Sequence, residues 1–198
     1  MSDVIDQTET DVRTRILVTA ERLFREIGYQ KTTVADIARE LRMSPANVYR
    51  FFDSKRSINM GVARRLMGEV EQASAQIAAG KTSAAERLRA LLSNINRMNA
   101  SRYVADSKMH DMVAAALEED WDVCTPHIQH ITQQIAAVIA DGVASGEFRV
   151  ADVTTAALCV SAAMCRFFHP QMIAQCADKP GPTLDQMIDF LIAGLRSA

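Results

Sequence analysis

Apolar residues recur at helical spacing through almost the whole chain. Ile16, Leu17, Ala20, Leu23, Phe24 and Ile27 form one stripe, which predicts a first helix from about Asp11 to Ile27, ended by Gly28. Val34, Ile37, Ala38 and Leu41 then fall at i, i+3, i+4 and i+7, one face of a second helix. Val48, Tyr49 and Phe52 give a third, short helix its inward side, and a fourth is expected over 55–79, closed by Gly80. Leu88, Leu91, Leu92, Ile95 and Met98 mark a helix over 84–99, and Val104, Met109, Met112, Val113 and Leu117 another over 101–118. The next pattern, 120–145, contains Pro126, so that helix is either kinked there or starts at Thr125-Pro126. The eighth, Val153 to about Phe168, is apolar almost all round and must be covered on several sides. His169-Pro170 interrupts it, the pattern resumes from Gln171 to Ala177, and Leu184, Met187, Ile188, Leu191, Ile192 and Leu195 give a last amphipathic helix. Strand-like alternation never lasts more than a few residues. The pattern predicts an all-α chain of about nine helices.

Start signals sharpen the second and third helices. Thr33 with Asp36 three residues later reads as a capping box. Ser44 is a good N-cap, and Pro45 suits a first helical position, where no N–H is needed. Two short helices joined by about three residues make a helix-turn-helix, with the first helix as the third wall of its core. At about 100° per residue, Val48, Tyr49 and Phe52 point inward, while Ala46, Asn47 and Arg50 point out with Asp53 at the margin. Arg forks onto guanine O6/N7 and Asn pairs with adenine N6/N7; the short Ala46 lets the helix approach the groove floor. Arg50 and Asn47 are therefore the expected base contacts. Thr33 at a helix N-terminus and the Tyr49 hydroxyl suit phosphates. Lys55 opens the fourth helix, where the macrodipole disfavours a cation, which points to a partner outside the fold, a DNA phosphate.

The same residues resemble a known family. Thr32-Thr33-Val34, Ile37-Ala38 and the run Ser44-Pro45-Ala46-Asn47-Val48-Tyr49-Arg50-Phe51-Phe52-Asp53-Ser54-Lys55 look like the signature of the tetracycline-repressor (TetR) family of one-component transcription regulators. The resemblance covers roughly residues 12 to 60, and its Tyr-x-x-Phe-x-Ser-Lys element is specific. Phe51 departs from it, since many relatives carry His there. More weakly, Gly142 to Phe148 and Phe168-His169-Pro170 resemble one subgroup's ligand domain. The resemblance implies a DNA-reading head with Thr33, Ser44, Ala46, Asn47, Tyr49, Arg50 and Lys55 at the DNA, and a helical body that binds a ligand and dimerises through its last two long helices. The expected organisation is a disordered arm over 1–10, a helix-turn-helix domain over 11–56, a connecting helix over 57–79, and a ligand-binding and dimerisation domain over 80–198.

Charge agrees with a reading head. The 198 residues carry a net charge of −2, yet residues 31–65 hold eight Lys/Arg against three Asp/Glu, and residues 66–198 hold ten against fifteen. A basic segment on an acidic body is an electrostatic footprint confined to one end. Cys124, Cys159, Cys165 and Cys176 show no Cys-x-x-Cys spacing and sit among apolar residues, which reads as buried reduced thiols in a cytoplasmic protein. The N-terminus lacks a basic-then-apolar signal pattern, and the longest apolar run is too short to span a bilayer.

The body is larger than dimerisation needs. Met109, Met112, Trp121, Cys124, His127, Met164, Phe167 and Phe168 are the candidates to line a pocket for a small apolar or amphipathic effector. His127 and His130 share a helix face, but no dense Cys/His cluster suggests a metal, and no nucleophile–base pair or phosphate loop suggests an enzyme. No cofactor is expected. The reading is a homodimeric, ligand-responsive regulator, a repressor, on a pseudo-palindromic operator. Its rivals are a helical ligand-binding protein or enzyme whose head no longer reads DNA, and a DNA-organising protein without ligand control.

Overall fold

A computed structural model describes residues 2–103, 108, 109, 111–113, 115 and 124–197. Those residues form helices joined by turns, ten of them with defined bounds, and the described residues of 108–115 are also helical. The chain divides into two compact units, residues 1–66 with 106–123, and 67–105 with 124–198. The division falls inside α4, between Leu66 and Met67.

The first unit holds α1 (Ser2–Ile27), α2 (Val34–Glu40), α3 (Pro45–Tyr49) and the start of α4 (Lys55–Ala78). Ile16, Ala20, Leu23 and Phe24 of α1 bury against Val34, Ile37 and Ala38 of α2, with Val48 and Phe52 closing the core. Two expectations change here. The helix begins at Ser2 rather than Asp11, so residues 2–10 are helical instead of a disordered arm; no glycine or proline interrupts them, and Thr14 Oγ1 donates back to the Thr10 carbonyl at 2.9 Å. Ile27 is 42% exposed rather than part of the core. Gly28, at φ 95°, reverses the chain directly after it, and Tyr29 then stacks edge-on against Phe24 with centroids 5.3 Å apart. Met109 and Met112 are buried in this unit, where Asn59 Nδ2 donates to the Met112 carbonyl at 3.3 Å.

The second unit holds the rest of α4, then α5 (Ala84–Tyr103), α6 (Thr125–Ala144), α7 (Val153–Ala163), α8 (Cys165–Phe168), α9 (Pro170–Cys176) and α10 (Leu184–Ser197). Of the two options at Pro126, the helix start is the one observed, with the proline in the first turn. α6 packs between α5 and α7, and its Ile131, Ile135, Val138 and Ile139 meet Leu88, Leu91, Leu92, Ile95, Ala157 and Val160. Phe148 lies so close to Gly142 that a Cβ there would stand 2.2 Å from the ring, so only glycine fits. Beside it, Glu147 caps α5 from a distance, accepting from Ala84 N–H at 2.9 Å and Ala85 N–H at 3.1 Å. Those two amides hold its carboxyl below the usual range.

The eighth apolar segment is broken into two helices, α7 and α8, and α9 follows the interruption at His169-Pro170. The break at His169-Pro170 leaves the carbonyls of Phe167 and Phe168 without helical partners, and α5 supplies them: Asn96 Nδ2 and Asn99 Nδ2 donate at 2.8 Å each. The cysteines are not buried as expected. Cys159 and Cys165 are exposed and Cys124 and Cys176 half-buried, because the apolar character of this segment continues round the face that the core does not cover. Leu158 is 56% exposed on α7 and Phe190 74% exposed on the neighbouring α10.

Candidate nucleic-acid interface

The helix-turn-helix is built by local signals. Thr33 is the N-cap of α2: its Oγ1 accepts from Asp36 N–H at 3.1 Å, and Asp36 Oδ2 accepts from Thr33 N–H at 2.9 Å, the reciprocal capping box. The Thr33 hydroxyl also donates to Asp36 Oδ2 at 2.6 Å, and these bonds, with Arg39 beside them, hold the Asp36 carboxyl below its usual range. Thr33 would therefore have to release Asp36 before donating to a phosphate. At the other end of α2, Arg42 N–H reaches the Arg39 carbonyl and Met43 N–H the Ala38 carbonyl, a Schellman ending. That ending needs a left-handed residue, and Arg42 supplies it at φ 55°, a conformation that glycine takes far more easily. Ser44 then caps α3, its Oγ accepting from Asn47 N–H at 3.2 Å, with Pro45 in the first turn.

Five residues of helix can bury little. Val48 is fully buried and Phe52, four later, closes the same ridge. Tyr49 is rotated about 100° from Val48 and stands 49% exposed, so the expectation that it faces inward is corrected. Ala46, Tyr49 and Arg50 share the outward face with Asp53, and Asn47 is half-buried at its flank. Ser44 is exposed beside them.

Lys55 differs from its expectation too. Its Nζ donates to the Gln30 carbonyl at 3.2 Å and lies 4.3 Å from the centre of the Tyr29 ring. These contacts inside the fold answer the unfavourable dipole at the start of α4, where Ser54 and Ser57 cap each other reciprocally.

Arg22 pairs with Glu26 and Glu40, Arg25 and Arg65 with Glu21, and Arg39 with Asp36. Arg42 and Arg50, one before α3 and one after it, are exposed and join no ion pair among the described residues. Sequence reasoning singled out Arg50 and passed over Arg42, whose backbone conformation leaves no mark on side-chain periodicity.

Residues 16–58, the helix-turn-helix and its flanks, match the family model described as bacterial regulatory proteins, tetR family. Residues 84–184 match the tetracyclin repressor-like C-terminal domain. The chain belongs to the TetR family of transcriptional regulators. The HTH-type transcriptional regulator HbdR of Aromatoleum sp. (strain CIB) is 34% identical over 76 residues, 38% of this chain and 33% of HbdR. The matched segment thus spans about a third of that relative's length. A TetR/AcrR family regulator from Thermobifida fusca is 25% identical with a TM-score of 0.60, covering 95% of this chain and 98% of its own. Thermus thermophilus FadR, a repressor solved with lauroyl-CoA, shares the fold at 19% identity and a TM-score of 0.62, over 92% of each chain.

The residues expected to line an effector pocket are divided between the two units. Met109 and Met112 belong to the first unit. Met164 is buried in the core of the second, with Phe167 and Phe168 packed against it. Cys124 precedes α6, His127 bonds Glu71, and Trp121 lies outside the described residues. Among the described residues no group of three or more His, Cys, Asp and Glu is arranged to hold a metal, and no helix is long and apolar enough to cross a membrane.

Proposed function

We propose that this regulator is a cytoplasmic, non-enzymatic, homodimeric repressor that reads a pseudo-palindromic operator and is released by a small effector. The outward face of α3 carries the reading. Arg50 and Asn47 contact bases, and Ala46 allows close approach to the groove floor. Ser44, Tyr49 and, once freed from Asp36 and from the Gln30 carbonyl respectively, Thr33 and Lys55 contact phosphates. Arg42 joins this set as an unpaired cation beside α3. One helix-turn-helix reads few bases, so two copies are needed. The exposed Leu158 and Phe190 on α7 and α10 supply an apolar face for a second copy. The effector occupies the second unit and shifts α4, the helix that enters both units, through a difference in affinity for two states.

A head that no longer reads DNA is the rival, and the free Arg50 argues against it. Selection from a random duplex library tests the proposal. The expected outcome is a two-fold symmetric site with half-sites about 10 base pairs apart. Enrichment of no site, or of an asymmetric one, would overturn it.

A further inference from the structure

Within the second unit, two helical stripes flank an open groove of about 540 Å³. Gly68, Glu71, Gln72 and Ala75 come from α4 at i, i+3, i+4 and i+7. His130, Gln133, Gln134 and Ala137 come from α6 at the same spacing. That is the spacing at which helices normally present an apolar seam to each other. Apolar seams interdigitate and draw helix axes to about 8–10 Å; this one is made of a carboxylate, carboxamides and an imidazole, with small residues at its ends. It stays open over two turns, roughly 10 Å along each helix.

The hydrogen bonds in the groove leave acceptors over. His127 Nδ1 lies 2.7 Å from Glu71 Oε1, and His130 Nδ1 3.0 Å from Glu71 Oε2. A carboxylate oxygen accepts, so both rings turn a protonated Nδ1 to Glu71. Burial pushes the His127 imidazole towards its neutral form, against the pull of Glu71. It therefore holds the carboxylate without cancelling its charge. Gln134 Nε2 donates to the Glu71 carbonyl at 3.0 Å, which fixes the amide and leaves its Oε1 buried without a partner. Among the described residues no Lys or Arg lines the groove. One negative charge and an orphaned buried acceptor are complemented by a cation that donates hydrogen bonds.

We propose that this groove binds a small linear alkylammonium ion, its ammonium donating to Glu71 and to Gln134 Oε1 and its chain lying along the stripes between the small residues. An ammonium has three donors and accepts nothing, which matches the surplus. Glu71 also bonds α4 to α6, so a cation on it competes with the two imidazoles for the same oxygens. The regulatory meaning of that competition rests on the function proposed above; the binding itself does not.

Calorimetry of the full chain with butylammonium and putrescine tests it, with butanol and butyrate as neutral and anionic controls. The ammonium probes should bind saturably and the controls should not. Glu71→Gln should weaken butylammonium roughly tenfold or more. Because that change also removes the clasp, Gln134→Met is the second variant; it leaves Glu71 and both imidazoles in place and should weaken binding in the same direction. Saturable binding of butanol as tight as butylammonium, unchanged affinity in both variants, or no binding by either ammonium probe would overturn the proposal. No DNA is present in this measurement. A protein that binds the amine but no operator leaves the groove standing, and one that binds its operator but no amine leaves the regulator standing.

Discussion

The two units keep their chemistry at different distances along the chain. In the first, capping partners sit three residues apart, as in Thr33 with Asp36, Ser44 with Asn47 and Ser54 with Ser57. In the second, the bonds that define the groove and its surroundings are remote. Glu71 meets His127 across 56 positions, and Glu147 caps Ala84 across 63. A reading head can be specified by short spacings because its helices are short and their ends dominate. The body takes its contacts from whichever helices the core brings together, and no local pattern announces them.

The largest test of this contrast is Phe148→Ala. The ring is buried and fills the space over Gly142, so its loss should cost about 3–5 kcal/mol. Hydrogen exchange resolved by segment should show protection falling across α5, α6 and α7 and persisting in α1 to α3. An equal fall in both units would break the comparison. Thr33→Ala should act in the opposite place, costing about 1 kcal/mol with protection lost in α1 to α3 alone.

Arg42→Gly sharpens the contrast by separating fold from function at one position. Removing the left-handed arginine should stabilise the first unit by about 0.5–1 kcal/mol, read as a higher melting temperature. The same change should lower the slope of log affinity for DNA against log salt by about one. A stabilised head with an unchanged slope would remove Arg42 from the interface.

The smallest effect is on pH. Burial holds the folded-state value of His127 below that of the unfolded chain, about 6.5. The unfolded chain therefore binds the proton more tightly. The folded state's advantage is complete above about pH 6.5 and is lost as pH falls through the lower folded value. Acidification should destabilise the second unit, and His127→Gln should flatten that dependence in a melting series. Stability that rose on acidification over this range would contradict the assignment.

Much of the fold was legible because it rests on local rules. The caps at Thr33 and Ser44 both form as their spacing indicates. The apolar stripes mark which faces turn inward in most helices. Exceptions arise where tertiary packing chooses between neighbours. Tyr29 takes the place beside Phe24, and Val48 with Phe52 fills the ridge that would have covered Tyr49. The groove was illegible for a different reason. Sequence reasoning looked for apolar and aromatic side chains, and those went into the core. Of the groove, the sequence showed only that His127 and His130 share a helix face; the stripe of α4 opposite them comes into view only in the fold.

The central claim is that α3 reads bases through Arg50, and the most direct measurement is the affinity of Arg50→Ala for the selected operator and for a scrambled duplex at one salt concentration. The account predicts a loss of about 1–3 kcal/mol on the operator, with little change on the scrambled sequence. Equal weakening on both would make Arg50 a phosphate contact and contradict the claim.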